Sequence, residues 1–210
     1  MRFRVPLAIF AAAMMLDASG VTADPVGRYS YLTPAAGFSF FDSNIHAPSQ
    51  SLKDATYLGG RAGVHWSERL GLEVAGGAAS SQENAVGGSR ISFWHLSGNL
   101  VATPWPGLIG SPFVSIGFGR SALSPEDTTV GFPAYSNEHG KLSQGNLETA
   151  LGWTAWATDR WGVRVEARDL AWLPPDHVSK PLAHTMISSV ALTYSIGSRP
   201  RDTDGDGVPD

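Results

Sequence analysis

The sequence predicts an all-β fold: an eight-stranded antiparallel transmembrane β-barrel. Three observations predict it. The N-terminus reads as an export signal, so the mature chain is expected to act outside the cytoplasm. Eight later segments of about 9 to 14 residues alternate apolar and polar side chains, close to the length that a tilted membrane-crossing strand needs. The links between these segments are short at one end and long at the other, the habit of membrane barrels.

Met1-Arg2-Phe3-Arg4 places two positive charges ahead of an apolar run over 5–16. Val21 and Ala23 then put small residues at the −3 and −1 positions of a cleavage site, so residues 1–23 are assigned as a signal peptide. The run is about 12 residues long, too short for the roughly 20 of a spanning helix, and no later stretch reaches about 18. Residues 24–210 suffice for one domain. The absence of cysteine excludes a disulfide framework, thiolate metal sites and cysteine nucleophiles. With 15 Lys+Arg against 19 Asp+Glu and no basic stripe, no nucleic-acid partner is expected. The chain holds 24 Gly, 7 Trp, 9 Phe and 5 Tyr yet is only 42% hydrophobic, a balance that suits strands with a single apolar side.

The expected strands cover 29–41, 57–67, 70–80, 90–103, 113–121, 146–157, 161–171 and 184–197. Successive side chains of a strand point to opposite faces. In the second, Leu58, Gly60, Ala62, Val64 and Trp66 share one face, against Gly59, Arg61, Gly63 and His65. In the third, Leu70, Leu72 and Val74 oppose Gly71, Glu73 and Ala75. In the sixth, Leu147, Leu151 and Trp153 oppose Glu148 and Thr154. In the seventh, Trp161, Val163, Val165 and Ala167 oppose Arg164, Glu166 and Arg168. A membrane barrel turns the charged face inward, where an unpaired charge is costly. Arg61, Glu73, Glu148, Arg164, Glu166 and Arg168 are therefore expected to form a neutralised charge network in the lumen. A soluble barrel would reverse the faces. Trp66, Trp105, Trp161, Trp172 and Tyr194, near strand ends, suit interfacial girdles and favour the membrane.

Short links at 67–70 and 158–160 and a moderate one around 104–107 contrast with long ones at 42–56, 81–89, 122–145 and 172–183. An even strand number returns both termini to one side. The stretch Ser189-Val190-Ala191-Leu192-Thr193-Tyr194-Ser195-Ile196 looks like the terminal-strand signal read by the barrel-insertion machinery, with Ala191 where Gly is usual and Ile196 where Phe is usual.

Over about 28–210 the chain resembles the OmpA-like outer-membrane barrel family in its OprF-type branch. The resemblance rests on the opening strand Tyr31-Leu32-Thr33-Pro34-Ala35-Ala36-Gly37-Phe38-Ser39-Phe40-Phe41-Asp42. It rests also on the hairpins Gly63-Val64-His65-Trp66-Ser67-Glu68-Arg69-Leu70-Gly71-Leu72-Glu73 and Asp159-Arg160-Trp161-Gly162-Val163-Arg164-Val165-Glu166-Ala167-Arg168-Asp169. It implies an outer-membrane barrel over 24–198, embedded in outer-membrane lipid, with both termini periplasmic. It implies a structural, non-enzymatic role in envelope integrity. The alternative is a narrow pore, or a surface adhesin or receptor acting through its extracellular loops, with 122–145 the best candidate for recognition.

The end of the chain, Asp202-Thr203-Asp204-Gly205-Asp206-Gly207-Val208-Pro209-Asp210, fits D-x-D-x-D-G-x-x-D and resembles a thrombospondin type-3 repeat. Alternate carboxylates of this kind converge on a hard cation, which makes Asp202, Asp204, Asp206 and Asp210 candidate ligands. The later acidic ligand of such a loop is missing, so the segment 199–210 reads as an acidic periplasmic linker with at most weak Ca²⁺ binding, and no other cofactor is expected. In the family a peptidoglycan-binding domain follows such repeats. Peptidoglycan is an expected partner only of a longer chain.

Catalytic readings are weak. His95-Leu96-Ser97 is an H-x-S pair, and some eight-stranded outer-membrane barrels are lipid A deacylases with His, Ser and an acid facing the lipid. Here alternation puts Trp94 and Leu96 outward and His95 and Ser97 inward, with no acidic residue on the same strand to orient the imidazole. His95 reads as an interior hydrogen-bonding residue. His46, His139 and His177 stand singly in expected loops without metal spacing. An interior this narrow and this charged argues against an open channel.

Overall fold

The computed structural model describes residues 28–42, 52–67, 69–83, 88–105, 110–126, 142–158, 160–173 and 182–197. The expected signal peptide 1–23, the acidic segment with Asp202, Asp204, Asp206 and Asp210, and most of the long links, with His46, His139 and His177, lie outside the described residues.

Eight strands follow one another: β1 (Tyr29–Phe41), β2 (Ala55–His65), β3 (Leu70–Gln82), β4 (Arg90–Ala102), β5 (Ser111–Pro125), β6 (Leu142–Trp156), β7 (Trp161–Trp172) and β8 (Ala183–Ile196). Each pairs antiparallel with the next, and β1 pairs with β8, from Ser30↔Ile196 to Phe41↔Thr185, to close the barrel. Closure leaves no edge strand and pairs the backbones of neighbouring strands around the whole wall, interrupted between β1 and β8 only at Thr33 and Pro34; such pairing is the condition for crossing hydrocarbon with strands.

Burial alternates along the strands as the side-chain pattern requires. On β7, Gly162, Arg164, Glu166, Arg168, Leu170 and Trp172 are buried and the intervening side chains face out. Leu58, Leu72, Val74, Leu96, Leu151 and Leu192 stand exposed on the outer wall. The faces are those of a membrane barrel. Trp66, Trp105 and Trp161 are exposed near the short-turn end, and the Trp161 ring packs 4.7 Å from that of Tyr194.

Trp172 departs from the expectation of a girdle. It is buried in the lumen and donates its indole N–H to Thr185 Oγ1 at 3.0 Å. The interior is also less uniformly polar than expected. At the long-loop end an apolar layer fills it, built from Phe41, Ile91, Phe93, Leu123, Leu170 and Ile187 with Trp172. This layer explains the longer strands β5 and β6. Leu123 pairs with Leu142 beyond the expected ends, and both are buried in the layer, so burial holds the hairpin together where alternation falters.

Two close approaches require glycine. The Tyr57 ring lies flat across the paired Gly59 and Gly77, and the Tyr31 ring lies over Gly63, where a Cβ would collide with it. At Gly110, which leads into β5, φ is +76°, a conformation that L side chains rarely adopt.

Candidate functional site

The charged residues singled out in the sequence meet in the middle of the lumen. Arg61 comes from β2, Glu73 from β3, Glu148 from β6, and Arg164, Glu166 and Arg168 from β7. All six are buried. The spacing of two residues along β7 places Arg164, Glu166 and Arg168 on the same inward face.

Glu166 is the hub. Its Oε1 accepts from Arg61 Nη2 at 2.5 Å and from Arg168 Nε at 2.8 Å. Its Oε2 accepts from Arg164 Nε at 3.1 Å and Nη2 at 2.7 Å. Glu73 answers from the opposite wall. Its Oε2 accepts from Arg164 Nη1 at 2.8 Å and from the Tyr31 hydroxyl at 2.8 Å, and its Oε1 accepts from Arg168 Nη2 at 3.1 Å. Arg168 Nη1 donates to Glu148 Oε1. Three guanidinium groups thus face three carboxylates, and the formal charge of the cluster is zero.

Several contacts were not legible in the alternation. Arg61 Nη2 also donates to Ser189 Oγ at 3.1 Å, which ties β8 into the network. The Arg164 guanidinium lies over the Phe113 ring, 3.8 Å from its centroid, a cation–π contact from β5. His95 is inward, as expected, and its Nε2 lies 2.8 Å from the Tyr57 hydroxyl. Its Nδ1 is 3.7 Å from Glu148 Oε2, outside hydrogen-bond reach. Tyr57 shares the inward face of β2 with Arg61, which was an available signal, whereas β5 carries no inward Arg to point to Phe113. The partners themselves depend on which strands face each other across the lumen.

β3 and β7 are four strands apart in a ring of eight, so Glu73 to Arg164 and Arg168 spans the diameter. The network is a set of struts between opposite walls. Inside a low-dielectric wall such bonds are strong, and each depends on its neighbours. Most donors and acceptors of these groups are spent on one another, while Arg61 Nε and Nη1 and Glu148 Oε2 are buried without a hydrogen-bond partner among the described residues. Towards the short-turn end lies a second layer of rings: Tyr29 stacks on His65 with centroids 4.7 Å apart and meets Trp156 edge-on at 6.2 Å. Among the described residues no group of three or more His, Cys, Asp or Glu is arranged to hold a metal ion.

The fold has counterparts among solved structures. The outer membrane protein OprG of Pseudomonas aeruginosa matches with a TM-score of 0.56 at 10% identity, over 84% of this chain and 99% of that one. The neisserial surface protein A matches with a TM-score of 0.57 at 9% identity, over 81% and 99%. The N-terminal barrel of P. aeruginosa OprF matches with a TM-score of 0.51 at 11% identity, over 83% and 100%. At such identities the likeness concerns the fold alone. No curated protein matches the chain in sequence. The model of the outer membrane protein beta-barrel domain matches residues 8–180. Closed eight-stranded wall, apolar outer face and family match agree: this chain belongs to the outer membrane protein beta-barrel domain family, with which its OmpA-like resemblance fits.

Proposed function

We propose that the protein is a structural, non-enzymatic component of the outer membrane that contributes to envelope integrity. One observation carries this reading: side chains from opposite walls meet across the lumen in three successive layers. An apolar layer lies at the long-loop end, the ion-pair struts in the middle and an aromatic layer at the short-turn end. Eight strands leave room for little more than side chains, and here side chains take that room. Such cross-lumen contacts brace the wall and narrow any path for a solute. In this reading both termini face the periplasm, the insertion machinery reads β8, and the acidic segment 199–210 is a linker with at most weak Ca²⁺ affinity. Peptidoglycan is a partner only if a longer chain carries a cell-wall domain.

A second reading, recognition through the long loops, has its own support. The links β1–β2, β3–β4, β5–β6 and β7–β8 all leave the same end of the barrel, and the longest of them joins β5 to β6. Ail of Yersinia pestis, an attachment invasion locus protein solved with a heparin analogue, shares the fold with a TM-score of 0.51 at 7% identity. A narrow pore is the reading that the layered lumen supports least.

Gene deletion and planar-bilayer recording separate these readings. Deletion should sensitise the host to detergents and large antibiotics, and complementation with a chain whose 127–141 segment is shortened should restore resistance. The purified barrel should give no stable conductance steps. Stable steps would overturn the structural reading in favour of a pore. Intact resistance in the deletion strain, together with lost surface binding, would overturn it in favour of recognition.

A further inference from the structure

Proline has no N–H to give to a ladder, so within a sheet it keeps to strand ends and edges. In β5 it does: Pro112 is the second residue and Pro125 the last. Pro34 instead stands in the middle of β1, the one mid-strand proline among the described residues. Its neighbours show which way the missing donor points. Asp42 N–H donates to His184 O across the β1–β8 seam at 3.0 Å. Backbone groups alternate sides along a strand, so the even-numbered residues of β1 turn theirs to β8 and the odd-numbered ones to β2. Pro34 therefore faces β8, and the carbonyl of Leu192 opposite it loses its donor. The β1–β8 ladder drops out at Thr33 and Pro34 and resumes at Ala35↔Ala191 in unchanged register, so the missing N–H and not a bulge makes the gap. On the other side of β1 the ladder runs unbroken through Pro34↔Gly60. The seam is tied from the inside instead. Thr33 Oγ1 donates to Thr193 Oγ1 at 3.3 Å beside the gap, and Arg61 Nη2 donates to Ser189 Oγ at 3.1 Å. Arg61 is itself held by Glu166 of β7, so this second bond forms only when β8 stands over the chain's own closed lumen.

We infer that Pro34 guards the β1 edge during assembly, and that the partner it turns away is an edge strand of a second copy of this chain. Until the barrel closes, β1 and β8 are the two edges of an open sheet. Such an edge presents a row of unpaired N–H and C=O groups to any other strand, and a proline set in that row blunts it. Only half of β1 and half of β8 face this seam, and the mid-strand proline falls there. A foreign edge laid along β1 meets the gap with nothing to offset it. The chain's own β8 meets the same gap and gains the bonds from Arg61 to Ser189 and from Thr33 to Thr193. Pro34 thus makes the side chains of the lumen, and not the backbone ladder alone, decide which strand closes the wall. The finished barrel keeps the trace of this selection as one ladder bond missing at Leu192.

The test is refolding of the full chain from urea into vesicles of phosphatidylethanolamine and phosphatidylglycerol over a range of protein concentrations. Closed monomers and intermolecular species are scored by cross-linking and by the shift between unheated and boiled samples on a cold detergent gel. Pro34→Ala and Pro34→Val each supply the N–H that the Leu192 carbonyl lacks. Their closed monomers should unfold at a higher urea midpoint than the native chain, while their intermolecular fraction at high concentration rises about threefold or more. Moving the proline to the next seam-facing position, by combining Pro34→Ala with Ala36→Pro, should return that fraction to the native level. A higher midpoint with an unchanged intermolecular fraction would overturn the proposal, because Pro34 would then only weaken the seam. So would a lower midpoint, or failure of both single variants to close, because Pro34 would then serve the finished wall. Intermolecular species that persist in the double variant would overturn it as well, since an unguarded edge would not be their cause.

Discussion

Glu73→Ala is the sharpest perturbation of the strut network. The Glu73 side chain is fully buried and accepts from Arg164 at 2.8 Å, from Arg168 at 3.1 Å and from Tyr31 at 2.8 Å. Removing it strips one partner from each of three buried donors and leaves three guanidinium groups facing the two carboxylates of Glu148 and Glu166. Breaking a buried ion pair by deleting one side costs roughly 3–5 kcal/mol, because the orphaned charge stays out of water. Arg164 keeps Glu166, and Arg168 keeps Glu148 and Glu166, so the loss should fall near the lower end, about 3 kcal/mol. The control is Glu126→Ala. Glu126 pairs with Arg90 at 3.8 Å with both side chains more than half exposed, a bond worth under about 0.5 kcal/mol. The assay is urea unfolding of the refolded barrel in lipid vesicles, followed by tryptophan fluorescence and by the cold-gel shift. Equal midpoints for Glu73→Ala, Glu126→Ala and the native chain would refute the reasoning, since the lumen would then be wet enough to solvate the stranded charges.

Four further outcomes are expected. Tyr31→Phe removes one hydrogen bond to a charged acceptor and should cost about 1.5–3 kcal/mol in the same assay, less than Glu73→Ala. Val165→Arg places a charge on the lipid face of β7 and should cost roughly 2–4 kcal/mol if Val165 lies near the midplane, with a harmless outcome telling against an outward Val165. Trp172→Ala empties part of the apolar layer and should cost about 3–5 kcal/mol, whereas a Trp172 on the outer rim would lose far less. Calorimetry on the chain with and without residues 199–210 should show no micromolar Ca²⁺ site in either; heat that disappears with the deletion would assign a complete site to the tail.

The wall of this barrel was legible in the sequence because it is written in period two. Arg164, Glu166 and Arg168 against Val163, Val165 and Ala167 fix two faces locally, and neither face depends on a distant residue. Link lengths add which strands neighbour one another, since short turns force antiparallel pairing. The same local signal put Arg61, Glu73 and Glu148 on inward faces. It did not say that Glu166 would serve Arg61, Arg164 and Arg168 together, or that Tyr31 would reach Glu73. Those partners are set by closure, which brings β3 opposite β7, and by how far along the axis each side chain lies. Depth within the lumen also escaped the alternation. Phe93 and His95 share one inward face, yet Phe93 belongs to the dry layer at the long-loop end and His95 borders the charged one. Trp172 was misplaced for the same reason: an aromatic at a strand end suits a girdle or a plug equally, and only the parity of β7 once built to its full length turns it inward. The sequence by itself determined the strands, their order and their two faces, because backbone geometry imposes these one strand at a time. The tertiary structure alone decided the layering of the lumen and the partners within it, because those arise where side chains from opposite walls compete for one narrow space.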